Sequence, residues 1–402
     1  MKRLSLICTL AIWAFFSMEC TQDKKENTCC DPLAAPSEIN IPTIDISDWT
    51  DHQIVIEPGT PEIRQGHPNS ILLPDGKTMY VIWTIGHGGP CGQLKRSDDG
   101  GLTWTDKLDV PDNWNQFANC PPLYLLKDPQ GKERLVTYAN RTPKGLKMAY
   151  AYSEDSGKTW TPFDYAKCSA DTLLADIMPF TSVIPIENGK RLLGVTNNRR
   201  PYQMGRSNLL VQSYSDDGGF SWTPWRIILD LDTEYAPCEP EIIRSPDGKE
   251  LLMLIRENNH AYNSWIMISR NEGKTWSEPF AAPASLTMDR HKACYTPDGR
   301  LIVVGRDVAK NSPCKGHFVA WVGTYDDIVK RREGQYRIKM LHSFKTTEYP
   351  GLSVLPDGTI VAITSLPYRE GENYSIVESR FTLSEIDAIA KDESRWLKCA
   401  EN

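Results

Sequence analysis

The chain has 402 residues, of which 40% are apolar and 24% charged, and it carries a formal net charge of −7. That is enough apolar material for a large packed core. The acidic balance argues against nucleic acid as the main partner, because phosphate binding needs a basic face. A small anionic ligand stays compatible, since local charge in a cleft can oppose the global sign.

In chain order, the first element is a basic Met1-Lys2-Arg3 followed by an apolar stretch over residues 4–18. This stretch is too short for an ordinary transmembrane helix and reads as an export signal over residues 1–19. Cys20 follows directly, so the pattern resembles a bacterial lipoprotein signal. That resemblance implies lipidation of Cys20, an exported chain anchored to a bacterial outer membrane, and no other membrane partner. Residues 20–45 read as a flexible tether and residues 46–395 as the folded domain. Ten of the eleven cysteines lie beyond the apolar stretch, including the pair Cys29-Cys30. No CxxC or Cys/His ligand spacing is present, so neither a zinc site nor any cofactor is expected. In an exported protein some cysteines can pair, with the connectivity left open.

Two repeated units then run through the rest of the chain. The first is Ser-x-Asp-x-Gly-x-Thr/Ser-Trp, at residues 97–104, 153–160, 215–222 and 269–276, with Asn271 replacing Asp in the last copy. The copies start 56, 62 and 54 residues apart. The second is an apolar run, a turn with Asp-Gly or a looser variant, and another apolar run, at residues 70–83, 123–138, 182–195, 241–255, 294–305 and 352–363. Asp-Gly between apolar runs is a strong hairpin signal. The turn glycines (Gly76, Gly131, Gly189, Gly248, Gly299 and Gly358) lie 51 to 59 residues apart, giving six repeats. Each repeat has room for four short strands, and helical periodicity is scarce. The expected fold is all-β, a six-bladed propeller of four-stranded antiparallel blades. Repeats five and six lack the Trp phrase and carry residues 321–328 and 376–383 in its place.

In a propeller the first strand of each blade lines the central channel, so the residues that open it ring one mouth. Counting nine positions back from Gly76, Gly248, Gly299 and Gly358 gives His67, Glu239, Arg290 and Tyr349. Pro68, Pro240 and Pro350 follow three of them. In the looser repeats the residues before proline are Pro121 and Met178. Arg256 and Arg306 close two of the second strands, and His87 sits in the loop after Trp83. Ionisable residues of unlike kinds therefore gather at one mouth.

On these motifs, residues 50–390 resemble the sialidase superfamily. The stretch CEPEIIRSPDGKELLMLIREN followed by SRNEGKTW is similar to the segment that holds the family's catalytic glutamate and a carboxylate-binding arginine. Carried over, these are Glu239 and Arg256, with Arg290 as a further carboxylate binder and Tyr349 as the nucleophile. The resemblance implies an exo-glycosidase that releases terminal acidic sugars, sialic acid first among them, from a glycan partner. A phenol is a weak nucleophile that needs a neighbouring base, and tyrosine avoids placing a second carboxylate against an anionic sugar. Two features depart from the family. Gly66-His67-Pro68 stands where an Arg-Ile-Pro motif is expected, with Arg64 two residues off register. The loop over residues 84–91 has no aspartate for the general acid and offers His87. Arg306, Arg64 and His291 complete the candidate substrate binders, His67 and His87 the candidate proton donors, and Asp176 is a weak further acid. The alternatives are a hydrolase or lyase acting on another acidic polysaccharide through histidines, and a non-catalytic glycan-binding propeller.

Overall fold

The computed structural model describes residues 32–168, 172–173, 178–199, 208–232 and 234–397. The expected signal, Cys20, Cys29-Cys30 and Asp176 lie outside them. Six blades follow in order. Blade one holds Gln65–Leu72, Met79–Ile85 and Gln93–Ser97, and its outer position is taken by residues 105–110, where Thr105 and Leu108 N–H donate to Arg96 and Leu94 (2.8 and 2.9 Å). Blade two holds Leu123–Lys127, Glu133–Thr142, Gly145–Ser153 and Asp164–Tyr165. Blade three holds Ser182–Ile186, Arg191–Arg199, Asn208–Ser215 and Arg226–Leu229. Blade four holds Pro237–Arg244, Leu251–Glu257, Trp265–Ser269 and Phe280–Ala281.

Blade five has the four antiparallel strands Met288–Tyr295, Leu301–Asp307, Phe318–Gly323 and Tyr336–Leu341, plus Thr43–Asp45 added in parallel on its edge. Blade six takes Gly351–Val354, Ile360–Pro367 and Tyr374–Phe381 from the C-terminal end of the chain and Gln53–Glu57 from the N-terminal side. This exchange closes the ring. Part of the tether expected over residues 20–45 is held on the propeller, through buried Leu33 and the edge strand Thr43–Asp45. The Ala281 N–H donates to Pro32 O (2.8 Å), Trp265 Nε1–H donates to Leu33 O (3.2 Å), and Leu33 is buried. Cys91, Cys120, Cys238, Cys294 and Cys314 form no disulfide among the described residues.

The six turn glycines all have positive φ, between 74° and 90°, as an Asp-Gly hairpin turn needs. The Trp phrases lie at the same end as these turns, opposite the mouth, and Gly100 N–H donates to Lys77 O (2.8 Å). Inside each phrase the Ser Oγ accepts the Gly N–H and donates to the Asp carboxylate, which accepts the Thr or Ser N–H two residues beyond that glycine. Asn271 keeps the geometry by reversing one polarity: its Oδ1 accepts Thr275 N–H (2.8 Å) while its Nδ2 donates to Thr275 Oγ1 (2.8 Å).

Each phrase also clamps the preceding blade. Tyr80 Oη–H donates to Ser156 O (2.7 Å), Tyr138 Oη–H to Gly219 O (2.9 Å), and Trp276 Nε1–H to Gln212 Oε1 (2.8 Å). Around the closure, Arg380 donates to Gly100 O (2.6 Å) and Trp104 Nε1–H to Glu378 Oε2 (3.1 Å). Blades five and six replace the phrase with capped helical turns, Thr324/Asp327 opening Tyr325–Val329 and Thr382/Glu385 opening Leu383–Ile389. Among the described residues no helix is long and apolar enough to cross a membrane.

Glu378 at the ring closure has no solvent exposure, and burial pushes its carboxyl up to about 7 against the pull of Arg380. A carboxyl raised in the folded state binds more protons there than in the unfolded chain, so its contribution to stability falls as pH rises from about 4.5 to 7. Glu378→Gln is expected to gain stability relative to the wild type across that window, by up to about 3 kcal/mol at pH 8 and by nothing at pH 4. Urea midpoints of the two proteins at both pH values check this, and a pH-independent difference contradicts it.

Candidate active site

Three of the innermost strands carry a bulge at the mouth. The ladder register shifts between Gly66 and Asn69, between Cys238 and Glu241, and between Asp289 and Lys292. The first residue inside each bulge is His67, Glu239 or Arg290, with φ of 48°, 45° and 55°. Left-handed backbone costs a non-glycine residue on the order of 1–2 kcal/mol. Such outliers concentrate at functional sites, where the surrounding fold holds them in place. Here the bulge re-aims each side chain toward the channel axis. The second bulge residue has no ladder partner, which is why Pro68 and Pro240 are tolerated there. In blade two Asn119 and Cys120 are both left-handed (φ 82° and 44°), directly before the expected Pro121.

The predicted ring does converge. Tyr349 stacks on His67, with ring centroids 4.4 Å apart and planes 14° from parallel. The Arg290 guanidinium lies over the Tyr349 ring, 4.7 Å from its centroid. The Tyr349 hydroxyl interacts with the Glu239 carboxylate and with the Cys120 thiol. Burial, then the Glu239 charge, push the Tyr349 phenol well above its ordinary range. Burial also opposes ionisation of Glu239, but Arg256 (2.7 Å) and Arg290 (3.5 Å) outweigh it and hold the carboxyl low. At neutral pH the pair is therefore a protonated phenol facing a carboxylate.

Two further buried carboxylates organise the mouth, and neither was among the predicted residues. Asp289, 1% exposed, receives Arg256 Nε (2.6 Å), Arg306 Nε–H (2.9 Å) and His260 Nε2 (3.0 Å). Burial would raise its carboxyl, but Arg256 and the other cations depress it strongly. Glu348, 3% exposed, receives Arg64, His87 Nδ1 (3.0 Å), the Ser365 hydroxyl (2.8 Å) and the His67 backbone N–H (3.0 Å). Burial opposes its ionisation, yet these partners bring it down to about 2. Each directly precedes a predicted ring residue, Arg290 and Tyr349. That adjacency was the available signal for both. His260, four residues beyond Arg256 in the loop that follows its strand, was legible only as a polar loop residue.

Arg64 reaches the site despite its register. It contacts Glu348 and lies 3.7 Å over the Tyr374 ring. Arg306 joins through Asp289 and also donates to Thr347 O (3.1 Å). His87 stands on the rim with a 68% exposed side chain and lies 3.0 Å from His67 Nε2. His67 is buried, and burial lowers its imidazole to about 4. His291 does not join. As the second residue of its bulge it points into the wall, fully buried, with Nε2 on Leu286 O (3.2 Å). Four guanidinia (Arg64, Arg256, Arg290 and Arg306) thus face three carboxylates at this mouth. A locally positive site results within an acidic protein.

A family model for the BNR repeat-like domain matches residues 121–360. A sialidase of Clostridium perfringens is 28% identical over 223 residues, covering 48% of this chain and 56% of that protein. A sialidase of Bacteroides fragilis (strain YCH46) is 26% identical over 256 residues, covering 54% of this chain and 43% of that protein. The chain thus spans about half the length of the curated relatives it matches. Among solved structures, a Dyadobacter fermentans DSM 18053 protein of unknown function superposes with a TM-score of 0.61 at 17% identity, over 82% of this chain and 97% of that one. A leech intramolecular trans-sialidase complexed with 2,7-anhydro-Neu5Ac superposes with a TM-score of 0.58 at 14% identity, over 83% and 70%. The fold is therefore a six-bladed sialidase-type propeller, and the family model covers more than half of the chain. The chain belongs to the BNR repeat-like domain family.

Proposed function

We propose that the protein is an exo-glycosidase that releases a terminal sugar carrying a carboxylate from a glycan, with sialic acid the first substrate to test. The observation that carries this reading is the Tyr349–Glu239 pair, flanked by Arg256 and Arg290. In the reaction the phenol oxygen attacks the anomeric carbon while Glu239 takes its proton. The substrate carboxylate draws on the same two guanidinia that hold Glu239 low. As they turn toward the substrate, Glu239 becomes a better base, so binding activates the nucleophile. Water then releases the sugar from the tyrosine, and the stereochemistry is retained.

His87 is the proton donor to the leaving oxygen. Its Nδ1 is held by Glu348, which orients the ring and leaves Nε2 on the open rim. His87→Ala is expected to lower kcat/KM by about 10² to 10⁴ on natural glycans, whose leaving alcohols need a proton. The loss on aryl glycosides, whose phenolate leaves unaided, should be much smaller. Equal losses on both substrates would remove His87 from this role. The exchange of the family's aspartate for a histidine favours a second substrate class, uronic-acid glycans, which belong in the same assay. For the cell context, the proposal is an exported enzyme anchored through Cys20.

A further inference from the structure

On the rim half of the mouth two imidazoles stand beside a buried carboxylate. Asn119 Nδ2 donates to Asn140 Oδ1 (2.8 Å), which leaves its Oδ1 to accept the Cys120 thiol proton (2.9 Å). The Cys120 sulfur lies 3.2 Å from His67 Nδ1. This contact holds one ring nitrogen of His67 and leaves the other, Nε2, turned toward His87. That atom lies 3.0 Å from His87 Nδ1, which lies 3.0 Å from Glu348 Oε1. Three ligand-type atoms of these residues therefore converge within 4.8 Å of one another.

We propose that His67 Nε2, His87 Nδ1 and Glu348 Oε1 form a binding site for a divalent transition metal of the zinc class. Two imidazoles and one carboxylate are a donor set that suits zinc rather than calcium or magnesium. Tetrahedral zinc places its ligand atoms about 3.3 Å apart; the two 3.0 Å contacts need to open by a few tenths of an ångström, and the third edge lies within 4.8 Å. The outer contacts that orient metal ligands are also present. Cys120 holds the far nitrogen of His67, and Ser365 with the His67 N–H holds the other oxygen of Glu348. The fourth position opens to solvent beside His87. Metal binding competes with one resident cation, Arg64, which already contacts Glu348 Oε1. The three ligands come from segments up to 281 residues apart, so no local spacing reveals the site.

This inference stands on its own geometry, and its test involves no substrate. Zn²⁺ is titrated calorimetrically into the metal-stripped full chain, and Co²⁺ binding is followed by its visible spectrum. One tight site with an N/O-ligated cobalt spectrum is expected. His87→Ala, an exposed position that the fold does not need, should weaken binding at least about 100-fold, since loss of an outer contact alone costs 10- to 100-fold. Arg64→Ala should tighten it by removing the competing cation. Affinity unchanged in His87→Ala, weaker binding in Arg64→Ala, or a cobalt spectrum dominated by thiolate charge transfer would each overturn the site. Any of these results leaves the glycosidase reading untouched.

Discussion

Tyr349→Phe is expected to lower kcat by about 10³-fold or more while the protein stays folded. The substitution removes only the hydroxyl. The ring keeps its stack on His67 and its place beneath Arg290. The hydroxyl's lost polar contacts cost on the order of 1 kcal/mol of stability, so the urea midpoint should move little. What disappears is the nucleophile. Glu239, still held by Arg256 and Arg290, has no proton left to accept and no position from which to replace it. Rates measured at saturating substrate, beside a denaturation curve, separate lost chemistry from lost folding. A variant that retains a tenth of the wild-type kcat would remove Tyr349 as the attacking group.

Asp289→Asn is expected to have the largest effect on stability of any single change at the mouth. Asp289 is the shared counter-charge of Arg256, Arg306 and His260. An asparagine of the same shape offers these groups one neutral oxygen and turns an amide donor toward them. Removing one partner of a buried ionic network costs about 3–5 kcal/mol, because the remaining charges stay buried without compensation. Arg256 also loses the anchor that aims it at Glu239, so KM for the acidic glycan should rise. Urea unfolding with an unchanged slope, read together with KM, checks both parts. A change in stability below about 0.5 kcal/mol would mean that the network is solvated and contributes little.

The repeat architecture was legible because local turn chemistry carries it. Gly76 to Gly358 and the four Trp phrases set the blade count and the register, and counting along that register placed His67, Glu239, Arg290 and Tyr349 at one mouth. In blade two the residue before proline, Pro121, was the expected position, whereas Asn119 and Cys120 take the left-handed backbone. His291 was included beside Arg290, but a one-residue step within a bulge reverses the direction of a side chain. Glu348 and Asp289 escaped notice for a different reason. Their partners, Arg64 and His87 for one, Arg256 and His260 for the other, come from distant segments, and a carboxylate's role as shared counter-charge exists only once those segments meet. The docking of Thr43–Asp45 and the donation of Gln53–Glu57 to the last blade are likewise pairings across some 300 residues, which no local pattern encodes.

The central claim is that this mouth recognises a sugar by its carboxylate and cleaves its glycosidic bond. The most direct measurement compares release of terminal sugars from sialosides and uronic-acid glycans with release from the same glycans after their carboxylates are converted to methyl esters. The account predicts turnover of at least one acidic glycan and a kcat/KM at least about 100-fold lower for its ester, since two buried guanidinia lose their charged partner. Equal turnover of the acid and its ester, or tight binding of acidic glycans with no release from any of them, would contradict it.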